Sequence, residues 1–164
     1  MNIFALSTCP RVSAEMQCDK HIVKMILETG QILSTVHRQY GSDDDRLYKS
    51  THTKHPSTLW AGACEINYDW LYQHFVALAD EYMFRYGREH LTFTKLQDIL
   101  FKAPRGMQIG TFTLPTPAMP DDCKISGDVV ASYRKYYQTK QHKFKMVWTK
   151  RNIPSWFKVK KENV

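Results

Sequence analysis

Between Cys18 and Arg38 the chain reads CDKHIVKMILETGQILSTVHR, and its apolar residues repeat with the 3.6-residue period of an α-helix. Ile22, Met25, Ile26, Ile32, Leu33 and Val36 fall on one side, with Val23 and Leu27 widening the arc. A helix apolar over most of its circumference is predicted to be central and largely buried. His21, Lys24, Glu28, Gln31, Thr35 and Arg38 recur at spacings of three and four, so they form one polar stripe that either faces solvent or lines a cleft. Asp19 is the expected N-cap. Lys24 and Glu28 have the i,i+4 spacing of a surface ion pair, which contributes only about 0.2–0.5 kcal/mol.

The rest of the pattern is also helical. Residues 2–8 are a short apolar stretch, either a strand or an arm laid against the core, and Pro10 opens a short helix reaching Gln17. GSDDD after Tyr40 reads as an exposed loop, and residues 46–56 are polar and irregular up to His55-Pro56. A second long pattern starts at Ser57 or Thr58, carries Leu59, Trp60, Ile66, Trp70, Leu71, Phe75, Leu78 and Tyr82, and stops at Gly87. It exceeds an ordinary helix, so a break is expected near Gly62. A shorter helix follows from Phe93 to Lys102. The stretch KAPRGMQIGTFTLPTPAMPDDCKISG, with four prolines and three glycines, is predicted to be a long loop. A last helix, capped near Ser126 or Asp128, places Val130, Tyr133 and Tyr137 on one side, and RNIPSWFKVKKENV remains as an arm. The fold class expected is therefore all-α: a single compact domain over residues 1–164, built around two long helices, with a Pro/Gly-rich loop and a basic, aromatic C-terminal arm.

Composition sharpens this reading. A chain of 164 residues with 43% hydrophobic and 13% aromatic residues is long enough to bury one core. No apolar run approaches the ~18–20 residues that span a bilayer, and the N-terminus lacks the basic-then-apolar order of a signal peptide; the expectation is a cytoplasmic protein, in the host cytoplasm if viral. The four cysteines form no C-x-x-C and are expected to be free thiols. Cys18-x-x-His21 and His52-x-x-His55 match no closed zinc module, so neither a metal nor a cofactor is expected.

Charge adds a partner. The net charge is +7, but residues 129–164 carry ten Lys or Arg against the single acid Glu162, while the first 128 residues carry 13 basic and 15 acidic side chains. A basic segment on a near-neutral body is the footprint of a polyanion partner, DNA foremost. Large rings interleave with these cations, and rings stack on bases or anchor a segment. Arg134, Lys135, Lys143, Lys145, Trp148, Lys150, Arg151, Trp156 and Lys158 are the expected DNA contacts. The pattern sets no oligomeric state.

No phosphate-binding glycine loop, nucleophile-elbow serine or H-E-x-x-H occurs. The stripe and the basic arm remain, and together they suggest an enzyme that holds DNA with the arm and acts with the helix. Chemistry on a base needs that base extruded into a pocket, where a glutamate serves as acid/base and an amine can form an imine with an opened deoxyribose.

Asp19-x-His21-x6-Glu28, at the head of a central helix, resembles the active-site helix of the phage pyrimidine-dimer DNA glycosylase/AP lyases of the endonuclease V type. Two weaker similarities occur in the same order. One is His55 followed by an aromatic-rich helix ending in Arg85-Tyr86-Gly87; the other is Pro154-Ser155-Trp156-Phe157-Lys158, similar to that family's Pro-Thr-Trp-Tyr-Lys tail. The resemblance implies an all-α fold in which an N-terminal amine attacks C1′ of the damaged nucleotide and the glutamate at Glu28 supports glycosyl cleavage and β-elimination. In that family a threonine amine is exposed by removal of the initiator methionine. Here Met1 is followed by Asn2, which usually leaves Met in place, so the amine would belong to Met1. The family also has arginines where this chain has Leu27 and Gln31.

The expected catalytic groups are thus Glu28, the Met1 α-amine and, in reserve, Lys24, with His21, Gln31 and His55 on the sugar or phosphate. The expected function is a DNA-binding enzyme acting on an everted pyrimidine nucleotide, glycosylase/AP lyase in type. The alternatives are a phage-type transferase that modifies pyrimidines in DNA, and a non-catalytic viral module binding nucleic acid or a host protein.

Overall fold

A computed structural model describes residues 1–161. Six α-helices carry the fold: α1 Pro10–Glu15, α2 Asp19–Gln39, α3 Pro56–Ala63, α4 Glu65–Tyr86, α5 Leu91–Leu100 and α6 Val129–Thr139. Single 3-10 turns occur at Asp121–Cys123 and Lys140–His142, and there is no strand among the described residues. The fold is all-α, as the periodicity predicted. Residues 2–8 form an arm, not a strand.

Helix α2 lies at the centre, against α3, α4 and α5. Ile22, Met25, Ile26, Ile32, Leu33 and Val36 are all buried, which is the face the heptad-like spacing marked out. The arc is narrower than its apolar residues suggested, however: Val23 and Leu27 are each 41% exposed. Gly30 lets α5 come close, since a Cβ there would meet Thr92 Cγ2 at 2.9 Å. The stripe is not uniform either. Thr35 is buried and bonded to the backbone of Thr51, so it interrupts the stripe between the part from Lys24 to Gln31 and the half-buried Arg38.

The long second pattern divides at Cys64, whose extended backbone (φ −159°, ψ 160°) separates α3 from α4 two residues beyond Gly62. Helix α3 starts with Pro56 and is capped by His55, whose Nδ1 accepts from Ser57 N at 3.1 Å. Helix α4 stops at Gly87 (φ 71°), whose N–H donates to Met83 O at 2.8 Å. Trp60, Trp70, Leu71, Phe75, Leu78 and Tyr82 are core residues, whereas Leu59 and Ile66 face outward at 57% and 45% exposure. Asp128 caps α6 through Ala131 N, and Tyr133 and Tyr137 are buried.

Asp19 is not the N-cap of α2. Cys18 holds that position without a side-chain cap, and Asp19 is the first helical residue. Its carboxylate is used across the fold: Oδ1 accepts from Arg85 Nη1 at 3.0 Å and from Thr149 N at 2.9 Å. Arg85 also pairs with Glu81 one turn earlier (2.8 Å), and Arg151 pairs with Glu81 and Glu15. This network fastens the C-terminal arm to α1, α2 and α4. Removing one partner of such a buried set costs about 3–5 kcal/mol, because a charge is left without compensation. Trp148 completes the attachment: it is buried against Phe157 (4.9 Å between rings) and its Nε1 donates to Met16 O at 2.8 Å. Glu162, the arm's one acid, lies outside the described residues.

Candidate active site

The N-terminal arm runs through the core, with Ile3, Phe4, Ala5 and Leu6 buried. It ends with the Met1 amine 3.4 Å from Glu28 Oε1, the Met1 side chain 1% and the Glu28 side chain 15% exposed. Glu28 therefore pairs with a backbone amine from the far end of the chain, and no Lys24–Glu28 pair occurs among the described residues. Around them lies a polar cleft of 120 Å³, lined by Met1, Asn2, Phe4, His21, Lys24, Met25, Glu28, Tyr136 and Lys140.

His21 forms one wall. Its ring stacks on Phe4 (4.7 Å, 19°) and meets Phe144 edge-on at 5.5 Å. The Tyr137 hydroxyl accepts from Cys18 N at 2.9 Å and lies 2.7 Å from His21 Nδ1. Having accepted from Cys18 N, that hydroxyl still has its own O–H to place, and donating it to Nδ1 leaves the ring proton on Nε2. Burial, followed by the positive charges of Lys140, Lys24 and Lys20, lowers the His21 pKa to about 3. The imidazole is thus a neutral hydrogen-bond donor at physiological pH.

Phe4 adopts φ +58°, an unusual conformation for a bulky residue that costs about 1–3 kcal/mol and tends to occur at functional sites. Lys140 closes the other side. Its Nζ donates to Tyr136 Oη at 2.9 Å and lies 4.3 Å from the Tyr136 ring. His55 stands near enough that the Met1 amine lowers its pKa, after burial, while Glu28 acts in the opposite sense.

Met1, His21, Lys24 and Glu28 are brought together, Gln31 is half-exposed in the next turn of α2, and His55 flanks the amine. Most of the basic arm lies elsewhere. Lys135, Lys143, Lys145, Lys150 and Lys158 are exposed, and Lys150 Nζ donates to Phe84 O. Trp148 is buried, and Arg151 is engaged with Glu81 and Glu15. Arg134 donates to Leu6 O at 2.9 Å and covers the Trp156 ring at 5.2 Å; Trp156 Nε1 points to Met16 Sδ. These four hold the arm in place. A larger groove of 730 Å³ lies along the arm, lined by Phe144, Met146, Ile153, Phe157 and Val159 with Lys145, Lys160 and Lys161.

Asn2, Phe4, Tyr136 and Lys140 were not singled out by the sequence, and nothing local to them signals the site. They reach it only because α6 packs across the arm. Cys18-x-x-His21 and His52-x-x-His55 do not converge: among the described residues no three His, Cys, Asp or Glu side chains are grouped as metal ligands.

The N-terminal arm and the turn after α6 thus place the Met1 amine beside Glu28 in a cleft that Lys24 and Lys140 also line. The pyrimidine dimer DNA glycosylase family matches residues 1–94, which include the arm, α1 to α4 and the start of α5, and the chain belongs to that family. It is accordingly a DNA-binding protein of the DNA glycosylase class. No curated protein and no solved structure matches the chain. The matched segment contains Met1, His21, Lys24, Glu28, Gln31 and His55; Lys140 and the C-terminal arm lie beyond it.

Proposed function

We propose that this protein is a DNA glycosylase/AP lyase acting on an everted pyrimidine nucleotide, with the Met1 α-amine as nucleophile and Glu28 as its acid/base partner. The observation that carries this reading is the 3.4 Å approach of the amine to Glu28 within a cleft flanked by lysines. In outline, Glu28 accepts a proton from the ammonium, and the freed lone pair attacks C1′. The glycosidic bond breaks, and the base leaves with that bond's electron pair and the proton that Glu28 has taken up. Glu28 then takes a second proton from the new secondary ammonium and passes it to O4′. Opening of the sugar at O4′ gives an iminium joined to Met1. Loss of a C2′ proton then expels the 3′-phosphate, and water releases the amine.

The initiator methionine belongs to this reading. Its side chain is buried, with Thr58 Oγ1 donating to Sδ at 3.9 Å. Excision of Met1 would withdraw the amine by one residue, ~3.8 Å between Cα atoms, and vacate that seat. His21, as a neutral Nε2 donor, and His55 would hold sugar or phosphate oxygens. Lys24 is the reserve amine, and Gln31 contacts the substrate. Lys135, Lys143, Lys145, Lys150 and Lys158 hold DNA phosphates, while the arm groove gives bases an apolar floor.

Borohydride reduction on abasic-site DNA tests the reading. A stable adduct whose N-terminal peptide carries the sugar on Met1 is expected. No adduct, or one on Lys24, overturns the assignment of the amine. One observation favours a base-modifying transferase at the same cleft: exposed Leu27 and half-exposed Gln31 supply no cation where the family has arginines. Uncut DNA of altered mass, without an imine, would support that second reaction.

A further inference from the structure

Asn2 has no part in the chemistry outlined above, yet its side chain makes more directed contacts than any other in the arm's first turn. It is 8% exposed. Oδ1 accepts from Ile3 N at 2.7 Å and from Phe4 N at 3.0 Å, which closes a tight turn over residues 2–4. Nδ2 donates to Ala118 O at 2.8 Å, on the long loop that Tyr133 also holds through Thr116 O. The chain turns directly afterwards into the strained φ of Phe4.

We propose that Asn2 is a positioning residue, whose side-chain amide splints the first turn and so aims the Met1 amine at Glu28. This rests on the reading of Met1 as the nucleophile. Met1 is then fixed from two sides: its side chain is seated in the core, and the peptide that follows is tied to Ala118 and to its own turn. Without the splint, the first two residues keep the buried methionine side chain as anchor, but the amine is free to swing about it. An attacking group held in line is worth far more than the same group free to rotate, and a displacement of about 1 Å can cost on the order of 10²-fold in rate. Asn2 would thus act on the rate of attack and not on DNA binding, because its side chain bonds only to Ala118, Ile3 and Phe4 and to no lysine or residue of the C-terminal arm.

The test uses two variants that retain a large second residue, with Met1 retention verified by intact mass. Asn2→Leu keeps the approximate shape and removes all three hydrogen bonds. Asn2→Asp keeps the two acceptor contacts to Ile3 and Phe4. Affinity is measured on a duplex with a tetrahydrofuran abasic analogue, and the rate of borohydride-trapped imine at saturating abasic DNA. Asn2→Leu is expected to trap at least tenfold more slowly with affinity within twofold of wild type, and Asn2→Asp to recover to within about threefold. Equal trapping rates in wild type and Asn2→Leu, with the adduct on Met1, overturn the role of Asn2 alone. No adduct on Met1 in the wild type overturns the nucleophile reading and this role with it. If Asn2→Leu does not fold, Asn2→Asp decides: a rate near wild type supports the splint, and a rate more than tenfold lower overturns it.

Discussion

The hydroxyl of Tyr137 joins the start of α2 to the histidine that lines the cleft: it accepts from Cys18 N and meets His21 Nδ1 at 2.7 Å. A single buried group thus satisfies the N-terminal end of the helix and orients the imidazole. Tyr137→Phe leaves a buried N–H without a partner and frees the ring, so stability should fall by about 1–3 kcal/mol. The rate of DNA cleavage should fall further than the stability loss explains at a temperature where the variant is folded. Urea unfolding alongside single-turnover cleavage checks both, and an unchanged rate would detach His21 orientation from function.

Glu28→Gln keeps shape and removes charge. As acid/base partner of the Met1 amine, Glu28 should contribute about 10²–10⁴-fold to single-turnover cleavage. The affinity for an uncleavable analogue should change little, while the melting temperature should drop modestly, since the 15% exposed side chain is the ion-pair partner of the Met1 amine. Turnover within a few-fold of wild type would remove Glu28 from the chemistry.

Two buried histidines make the fold acid-sensitive. Burial lowers the pKa of His21 to about 3 and that of His74 to about 4, against the ordinary 6.5. Below pH 6.5 the unfolded chain takes up protons that the native state refuses. Stability is therefore full above pH 6.5 and falls as pH drops toward 4, at a limiting slope of about 1.4 kcal/mol per pH unit for each such histidine. Urea midpoints at pH 7.5, 5.5 and 4.5 would show it. His74→Gln should flatten the dependence if it refolds with its contact to Pro10 O intact.

The basic residues of the arm should separate into two groups. Neutralising Lys143, Lys145, Lys150 and Lys158 together should weaken DNA binding for every sequence and reduce the salt slope by up to about 0.9 per lost phosphate contact. Arg151→Ala should behave differently, because its guanidinium is engaged with Glu81, itself buried. A melting temperature lowered by several degrees, with the salt slope retained, is the expected result. The opposite pattern, measured by salt titration and thermal unfolding, would mean that Arg151 faces DNA.

Trp156→Ala tests the arm as packing. The ring touches Tyr137 and Phe157 and lies under Arg134. Truncation should lower stability by about 3–5 kcal/mol if the contacts behave as core, and less in proportion to the ring's partial exposure. Unchanged melting would show that the arm contributes nothing to the fold.

What the sequence determined by itself was mostly local. The period of α2, a helix start within two residues of Pro56, the Gly87 stop of α4, and Asp128 as one of two candidate caps of α6 depend on neighbours within a turn or two, and these are written into the chain. The His21 and Glu28 spacing was legible for the same reason, since residues seven apart, two turns on a helix, share a face, and the motif that contains them made the family legible too. The tertiary structure decided what each face meets. It left Val23, Leu27, Leu59 and Ile66 in solvent, because periodicity marks a side of a helix but not the width of what covers it. It turned Asp19 from a cap into the partner of Arg85 and Thr149, and it gave Arg151 an ion pair with Glu81. It also placed the Met1 amine on Glu28 and Lys140 beside His21, pairings over separations that no local rule reaches. Charge and hydrogen-bonding capacity are properties of a residue; which partner uses them is set by the packing of helices that lie far apart in the chain.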